Sequence, residues 1–265
     1  MKLPEFERVI YKNNPLTEVV CQLRFPPILK ISHEEPADFQ DKIRANYPLF
    51  ETTKSQIPPE IATIVSQFGL PLQSDIAYTF KSEDQKWKLS ITKDFIALTT
   101  SSYERYEQFK DRFETILEIF EQLYKPSYYS RVGLRYQNLI VRSKLGIEEI
   151  SWPKLISSRF ASELHDPEIA TSIQTIVKNL SLNIDDAKIS LNHGLVSIKE
   201  TQNHSEEIAY LFDSDFYSDQ KIEGNENAWK TLNQFNQSIG KLFRWSITDV
   251  LHNAMQPQPV DSIPT

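Results

Sequence analysis

Two strand-like runs with the same Leu-Arg-aromatic centre constrain the fold of this chain most strongly. They are VVCQLRF, residues 19–25, and RVGLRYQ, residues 131–137. In both runs apolar and polar residues alternate, which is typical of a strand with one buried face. Alternation places Arg24 and Arg135 on the face opposite their apolar neighbours. The motif therefore predicts two related strands whose arginines lie 111 positions apart.

The residues after the first run predict a short helix and three further strands. Phe39, Ile43 and Tyr47 are spaced i, i+4, i+8, and Pro48 ends that helix. Residues 49–75 have no clear periodicity and are interpreted as irregular or partly helical. Three short strand patterns follow, DIAYTFKS, KWKLSIT and FIALTTS.

A long amphipathic helix is predicted over 102–124. Ser101 followed by Glu104 is a capping-box pattern at its start, and Lys125-Pro126 ends it. Its apolar stripe has helical spacing. The stripe consists of Tyr106, Phe109, Phe113, Ile116, Leu117, Phe120 and Leu123.

The second half of the chain repeats this order of elements. Helical segments are predicted within 152–180, with Asp166-Pro167 as a cap. A long helix is predicted from Asn225, and a short one over 246–255 from Ser246. The strands between them are predicted around 182–191, 194–200 and 207–213. In the long helix the spacing of the earlier stripe recurs at Leu232, Phe235, Ile239, Leu242 and Phe243.

The chain is therefore predicted to be α+β, with two pseudo-repeated β-α-βββ-α units and an antiparallel sheet backed by long amphipathic helices. The first unit spans 1–126, the second spans 127–255 and packs on the first, and 256–265 is a disordered tail. This topology resembles the duplicated saddle of the TATA-binding-protein fold. No DNA-reading motif accompanies that resemblance.

Three blocks carry a second resemblance: NNPLTEVVCQLRFPPIL, RVGLRYQNLI and LFRWSITDVLHNAM. They resemble the signature blocks of a sporadically distributed family of bacterial proteins of similar length. The resemblance implies a bacterial cytoplasmic protein that is patchily inherited, with no established activity and no catalytic residue set to carry over. Patchy inheritance suits a defence or toxin–antitoxin gene neighbourhood.

Composition narrows the classes of function. The 265 residues carry a net charge of −7, which disfavours a generic binder of nucleic acid backbone. The single cysteine, Cys21, excludes an intramolecular disulfide and is interpreted as a small buried residue. No GxGxxG or P-loop sequence occurs, so no nucleotide cofactor is expected. No apolar run is long enough for a membrane span, and a cytoplasmic protein away from the membrane is expected.

Four residues are candidates for binding: Arg24, Arg135, Asn14 and Tyr136. The two arginines are either carboxylate-paired groups that stabilise the sheet or guanidinium forks that grip an anionic ligand or partner carboxylates. Asn14 precedes Pro15, which is also ordinary turn chemistry. Tyr136 follows Arg135 on the same predicted strand.

The acidic stretch FDSDFYSD is a weak candidate for a metal site. Asp213, Asp215 and Asp219 supply oxygen ligands, but the glycine and distal glutamate of a calcium loop are missing. The five histidines show no HExxH spacing. The stretch is interpreted as a solvated acidic loop, and no metal is expected.

The sequence favours a non-catalytic binding or regulatory protein that acts through a protein partner encoded nearby, in a defence or toxin–antitoxin context. An enzyme with a site assembled between the two units is the first alternative. A nucleic-acid binder is the second, on a sheet surface with Arg24, Arg135, Lys86 and Lys88.

Overall fold

The structure is a computed structural model that describes residues 2–54, 76–184, 186–199 and 206–260. These residues form an α+β protein with a large antiparallel sheet of nine strands. A second sheet of two strands joins residues near the two ends of the described chain.

The large sheet contains nine strands. In chain order they are β2 (Leu16–Arg24), β3 (Leu49–Lys54), β4 (Ile76–Lys81), β5 (Trp87–Ile91), β6 (Phe95–Thr100), β7 (Arg131–Ile140), β8 (Lys178–Ile184), β9 (Ala187–Lys199) and β10 (Glu206–Ser218). The small sheet pairs β1 (Val9–Tyr11) with β11 (Pro257–Pro259). The helices are α1 (Leu29–His33), α2 (Ala37–Ile43), α3 (Tyr106–Tyr124), α4 (Arg142–Leu145), α5 (Asn225–Ser246) and α6 (Asp249–Ala254).

The two strands with the Leu-Arg-aromatic motif are neighbours inside the large sheet. Its strand order is β3-β4-β5-β6-β2-β7-β10-β9-β8, and every pairing is antiparallel. In the β2–β7 pair Gln22 lies opposite Gly133, and Arg24 lies opposite Arg131. One continuous sheet therefore runs through both predicted units.

The long helices cover one face of this sheet. Alternation buries Val19, Cys21 and Leu23 of β2 on that face, as the sequence predicted. The predicted stripes are buried too, apart from the partly buried Leu123, and they belong to the same core cluster as the strands. Phe113 of α3 meets Trp229 of α5 edge to face at 6.1 Å, so the two helices pack on each other as well as on the sheet.

Several predicted boundaries in the first half are wrong. Residues 49–54 are the strand β3, although the segment 49–75 was predicted to be irregular or partly helical; residues 55–75 lie outside the described residues. The capping box does not form. Helix α3 begins at Tyr106, and the N-cap residue Arg105 has an extended backbone and makes no side-chain cap hydrogen bond.

In the second half the chain contains more strand and less helix than predicted. The segment 152–180 holds only short 3-10 turns, at Trp152–Lys154, Ser162–His165 and Ala170–Ser172, and then the start of β8. Strand β9 runs straight through residues 192–193, where a break between two strands was predicted, and on through Gly194. Gly194 has φ +150°, and an added Cβ would lie 1.9 Å from the Ile176 carbonyl oxygen. The glycine is therefore required by a close backbone approach and does not mark a turn.

The C-terminal elements also differ from the prediction. Helix α6 begins at Asp249, and its N-cap is Thr248, whose Oγ1 accepts a hydrogen bond from the Leu251 N–H. Within the tail 256–265 that was predicted to be disordered, Pro257–Pro259 pairs with β1, and residues 261–265 lie outside the described residues. The pairing holds the N-terminal segment beside the end of α5, where Tyr11 contacts Phe243 and the two segments enclose a cavity.

Candidate functional site

The face of the large sheet opposite the helices is mainly polar, and it is called the polar face. The side chains that share it across the four central strands are Phe95, Ala97 and Thr99 of β6, Glu18, Val20, Gln22 and Arg24 of β2, Arg131, Arg135, Gln137 and Leu139 of β7, and Leu211, Asp213, Asp215 and Tyr217 of β10. Ring contacts between the described helices and the sheet are all with the other face. The structure therefore gives the sheet one helix-covered face and one polar face.

Arg135 is firmly held on the polar face. Its Nε and Nη2 donate to the two oxygens of Asp213 at 2.7 Å each, and Nη1 lies 3.7 Å from Glu18. The Asp213 side chain is only 8% exposed. A two-pronged hydrogen bond to a buried carboxylate is strong and fixes the guanidinium plane.

Arg24 is held much more loosely. Its side chain is 47% exposed and makes a single 3.3 Å contact, from Nη2 to Asp94 Oδ2. Because one long contact leaves most of the guanidinium donors facing solvent, Arg24 is the more available of the two predicted forks.

The three aspartates proposed as weak metal ligands are each paired with a cation. Asp213 accepts from Arg135, Asp215 from Arg131 at 2.8 Å, and Asp219 from Lys188 at 3.0 Å. Asp213 and Asp215 lie on strand β10, so the predicted acidic loop is wrong. Burial raises the pKa of Asp215 even though the charge of Arg131 opposes the shift. Among the described residues no cluster of three potential metal ligands occurs.

A cavity of about 360 Å³ lies on the helix-covered side of the sheet. Its walls are the N-terminal segment 5–11, residues 103–106 before α3, Tyr136 and Asn138 of β7, and α5 between Asn236 and Arg244. Both predicted units therefore contribute to the wall. The volume is within the range typical of small-molecule sites.

A chain of hydrogen bonds crosses the cavity wall. The Tyr136 hydroxyl donates to Asn236 Oδ1 at 2.9 Å, and the Tyr103 hydroxyl lies 2.7 Å from the Tyr136 oxygen. Because the Tyr136 hydrogen is directed to Asn236, Tyr103 is the donor in the second bond. Nearby, the Tyr106 hydroxyl donates to Asn233 Oδ1 at 3.0 Å.

Ion pairs hold the N-terminal segment over the cavity. Arg8 lies 2.7 Å from Glu107 of α3, and Glu5 lies 2.7 Å from Lys241 of α5. Burial alone raises the pKa of Glu107, but the hydrogen bond and charge of Arg8 outweigh it and lower the pKa to about 2. Glu107 therefore stays ionised, and the clasp persists across the physiological pH range.

Burial also sets the protonation of the phenols. It raises the pKa of Tyr103, Tyr106 and Tyr136 well above the ordinary tyrosine value. All three remain neutral hydroxyls near neutral pH, and neutral hydroxyls suit hydrogen bonding to a ligand.

The sheet separates the four predicted binding residues into two pairs. Arg24 and Arg135 lie on the polar face, whereas Asn14 and Tyr136 line the cavity on the other side. Sequence reasoning missed Tyr103, Asn236 and the Arg8–Glu107 clasp. These residues come from distant segments, and no local pattern in the sequence distinguishes them from ordinary helix and turn residues.

No protein-family model matches the chain, and a search of curated proteins finds no significant match. Within the described residues, no helix combines the length and apolar character needed to cross a bilayer.

Proposed function

We propose that this protein is a non-catalytic binding and regulatory protein that acts through a protein partner on the polar face. The observation that carries the proposal is the exposed Arg24 guanidinium on a central strand of a sheet face on which the structure describes no packed helix. A guanidinium with free donors suits a partner surface that bears carboxylates.

The two arginines have different roles in this proposal. Arg135 is already committed to Asp213, so its role is to stabilise and rigidify the face. Arg24 is the residue whose guanidinium contacts the partner protein. A rigid sheet with few mobile groups binds a partner at a low cost in conformational entropy.

We also propose that the chain arose by internal duplication. Reading outward from β2, the strands are β6, β5 and β4; reading outward from β7, they are β10, β9 and β8. Gln22 and Gly133, which the 111-residue offset relates, lie directly opposite each other. A two-fold axis between β2 and β7 would pass through that pair, which supports the equivalence of Arg24 and Arg135.

The test is affinity capture of the tagged protein from the organism that encodes it, in three forms. They are the natural chain, Arg24→Glu on the polar face, and Arg44→Glu at the end of α2, a helix that packs against α3. The two variants change net charge equally, and among the described residues the Arg44 side chain forms one ion pair, an exposed contact with Asp41. A protein recovered with the natural chain and Arg44→Glu, but lost with Arg24→Glu, supports the proposal. Equal recovery with both variants contradicts it.

The cavity favours a second candidate, an enzyme with its site between the two predicted units. The shifted pKa values place it second, because neutral phenols and a permanently ionised Glu107 suit binding better than proton transfer near neutral pH. Turnover of a small substrate by the purified chain would support the enzyme and contradict the binding protein.

A nucleic-acid binder is the third candidate. It ranks last because Arg131 and Arg135 are both paired with aspartates. A steep loss of affinity for nucleic acid as the salt concentration rises would support it.

A further inference from the structure

The cavity wall offers hydrogen-bonding groups without internal partners. Asn236 uses its oxygen for Tyr136, and Asn14 uses its oxygen for the Leu16 N–H at 3.0 Å. Within the described part of the chain, the amide nitrogens of these two asparagines have no partner. Asn138 donates to the Phe212 carbonyl at 3.3 Å, which leaves its own oxygen as an acceptor. Donors and an acceptor therefore line one cavity.

Aromatic rings line the same space. Phe6, Tyr11 and Phe243 join Tyr103 and Tyr136 around it, and Tyr11 meets Phe243 edge to face at 6.2 Å. Rings of this kind stack on a flat ligand or meet its edge. The combination of ring faces with edge-directed donors and acceptors suits a planar heterocycle.

The charges at the cavity disfavour an anionic ligand. Arg8 and Arg105 pair with Glu107, and Lys241 pairs with Glu5. The fourth lining cation, Arg244, pairs with Asp249. A phosphate or carboxylate entering the cavity would have to compete with a carboxylate of the chain for each of these cations, whereas an uncharged ligand would not.

Gly240 keeps part of the wall open. It lies within α5 and lines the cavity, and an added Cβ would meet no atom within 4 Å. Glycine inside a helix costs stability, yet neither backbone conformation nor neighbouring atoms require it here. Gly240 is exposed and leaves open space beside the cavity, which a large side chain would occupy and a methyl group would barely reduce.

We propose that this cavity binds an uncharged planar heterocycle with hydrogen-bond donors and acceptors on its edge, the class of the nucleosides. Asn236, which Tyr136 positions, reads the edge of the ring together with Asn14 and Asn138, and the aromatic residues hold its faces. The N-terminal segment, clasped by Arg8–Glu107 and Glu5–Lys241, closes the cavity over the ligand. This inference does not depend on the protein partner.

Isothermal titration calorimetry of the full chain with adenosine, guanosine, cytidine and uridine tests the proposal, with each 5′-monophosphate alongside. At least one nucleoside is expected to bind at one site per chain. Tyr136→Phe should weaken binding roughly tenfold, since it removes the hydroxyl that positions Asn236. Tyr129→Phe is the matched control, because that buried phenol bonds to Glu121 and does not line the cavity.

Gly240→Leu is a second variant that tests nucleoside binding even if Tyr136→Phe disturbs folding. It removes no packing, fills the open space, and should weaken binding by more than about tenfold, whereas Gly240→Ala should retain binding. The proposal is overturned if no nucleoside binds at concentrations up to about 1 mM. Binding that is unchanged in Gly240→Leu also overturns it, as does tighter binding of a monophosphate than of its nucleoside.

Discussion

Replacing Arg24 and replacing Arg135 should have different effects on the stability of the protein. Arg135→Ala strands the Asp213 carboxylate, which is 8% exposed, without its two hydrogen bonds. We expect a loss of roughly 1–3 kcal/mol in the free energy of unfolding. Arg24→Ala breaks one exposed contact and should cost about 0–1 kcal/mol. Urea unfolding of both variants measures the difference, and equal losses would contradict it.

The double variant Arg135→Ala/Asp213→Ala is the control for that difference. It removes the stranded carboxylate together with the guanidinium, so it should lose less stability than Arg135→Ala alone. A larger loss in the double variant would mean that packing, and not the uncompensated charge, explains the effect of Arg135.

His193 gives the fold a dependence on pH. It is 2% exposed, its Nδ1 lies 2.7 Å from the Tyr210 hydroxyl, and burial lowers its pKa to about 4 with help from the charge of Lys178. In the unfolded chain its pKa is about 6.5, so the unfolded state binds the proton first. Stability should therefore fall by roughly 2 kcal/mol between about pH 7 and about pH 5.

Urea unfolding of the natural chain and of His193→Asn at both pH values measures this contribution. The variant has no group that titrates at this position, so its free energy of unfolding should change much less between the two pH values. The pKa of His252 is also lowered, by burial and then by Arg244, so this residue makes stability fall with pH in the same direction in both proteins. Equal slopes would contradict the assignment to His193.

At the scale of residues, the sequence predicted which face of a strand a side chain lies on, but it did not predict the residue to which that side chain is paired. Alternation correctly placed Arg135 on the face opposite Leu134, because a strand has a period of two. The partner Asp213 lies 78 positions away on β10, and only the sheet order brings the two together. The same holds for Tyr136 and Asn236, which are 100 positions apart.

Among the elements, α3 contributes most clearly to the core. Phe113 is fully buried and contacts Phe109 and Trp229. Phe113→Ala should lower the free energy of unfolding by about 3–5 kcal/mol. The control is Glu118→Ala on the exposed side of the same helix, which should change it by less than about 0.5 kcal/mol. An unchanged unfolding midpoint in Phe113→Ala would mean that the stripe does not pack in the core.

A substitution in helix α5 is predicted to stabilise the protein. Gly240→Ala should raise the free energy of unfolding by about 0.5–1 kcal/mol, because alanine loses less backbone entropy in a helix and meets no atom here. Thermal unfolding checks this. A destabilised variant would mean that the space beside Gly240 is needed by the fold itself.

The sequence predicted long elements well and short ones poorly. The stripes of α3 and α5 each span several turns, so their periodicity was clear. Strand β3 carries its large apolar residues on both faces, at Leu49 and Phe50, both about two-fifths exposed, and so has no alternation to detect. The Asn-His-Gly stretch before Leu195 had turn chemistry, but long-range pairing kept it extended in β9.

For the whole molecule, the sequence predicted an α+β protein with an antiparallel sheet, and the structure confirms this coarse architecture. The succession of elements did not predict that β2 and β7 would pair and join the two halves into one sheet. Strand pairing between distant segments depends on packing over the entire chain, and local patterns carry little information about it. The internal duplication and the unit boundary at 126–127 stay predictions.

Site-specific photo-crosslinking tests most directly whether the polar face is the surface that binds a protein. A benzophenone side chain is introduced at Lys88, on the polar face of β5, or at Glu118, on the exposed side of α3. Each protein is irradiated in cells that encode it, and the adducts are identified by mass spectrometry. We predict a discrete crosslinked partner for Lys88 and none for Glu118. A partner crosslinked at Glu118 and absent at Lys88 would contradict the account.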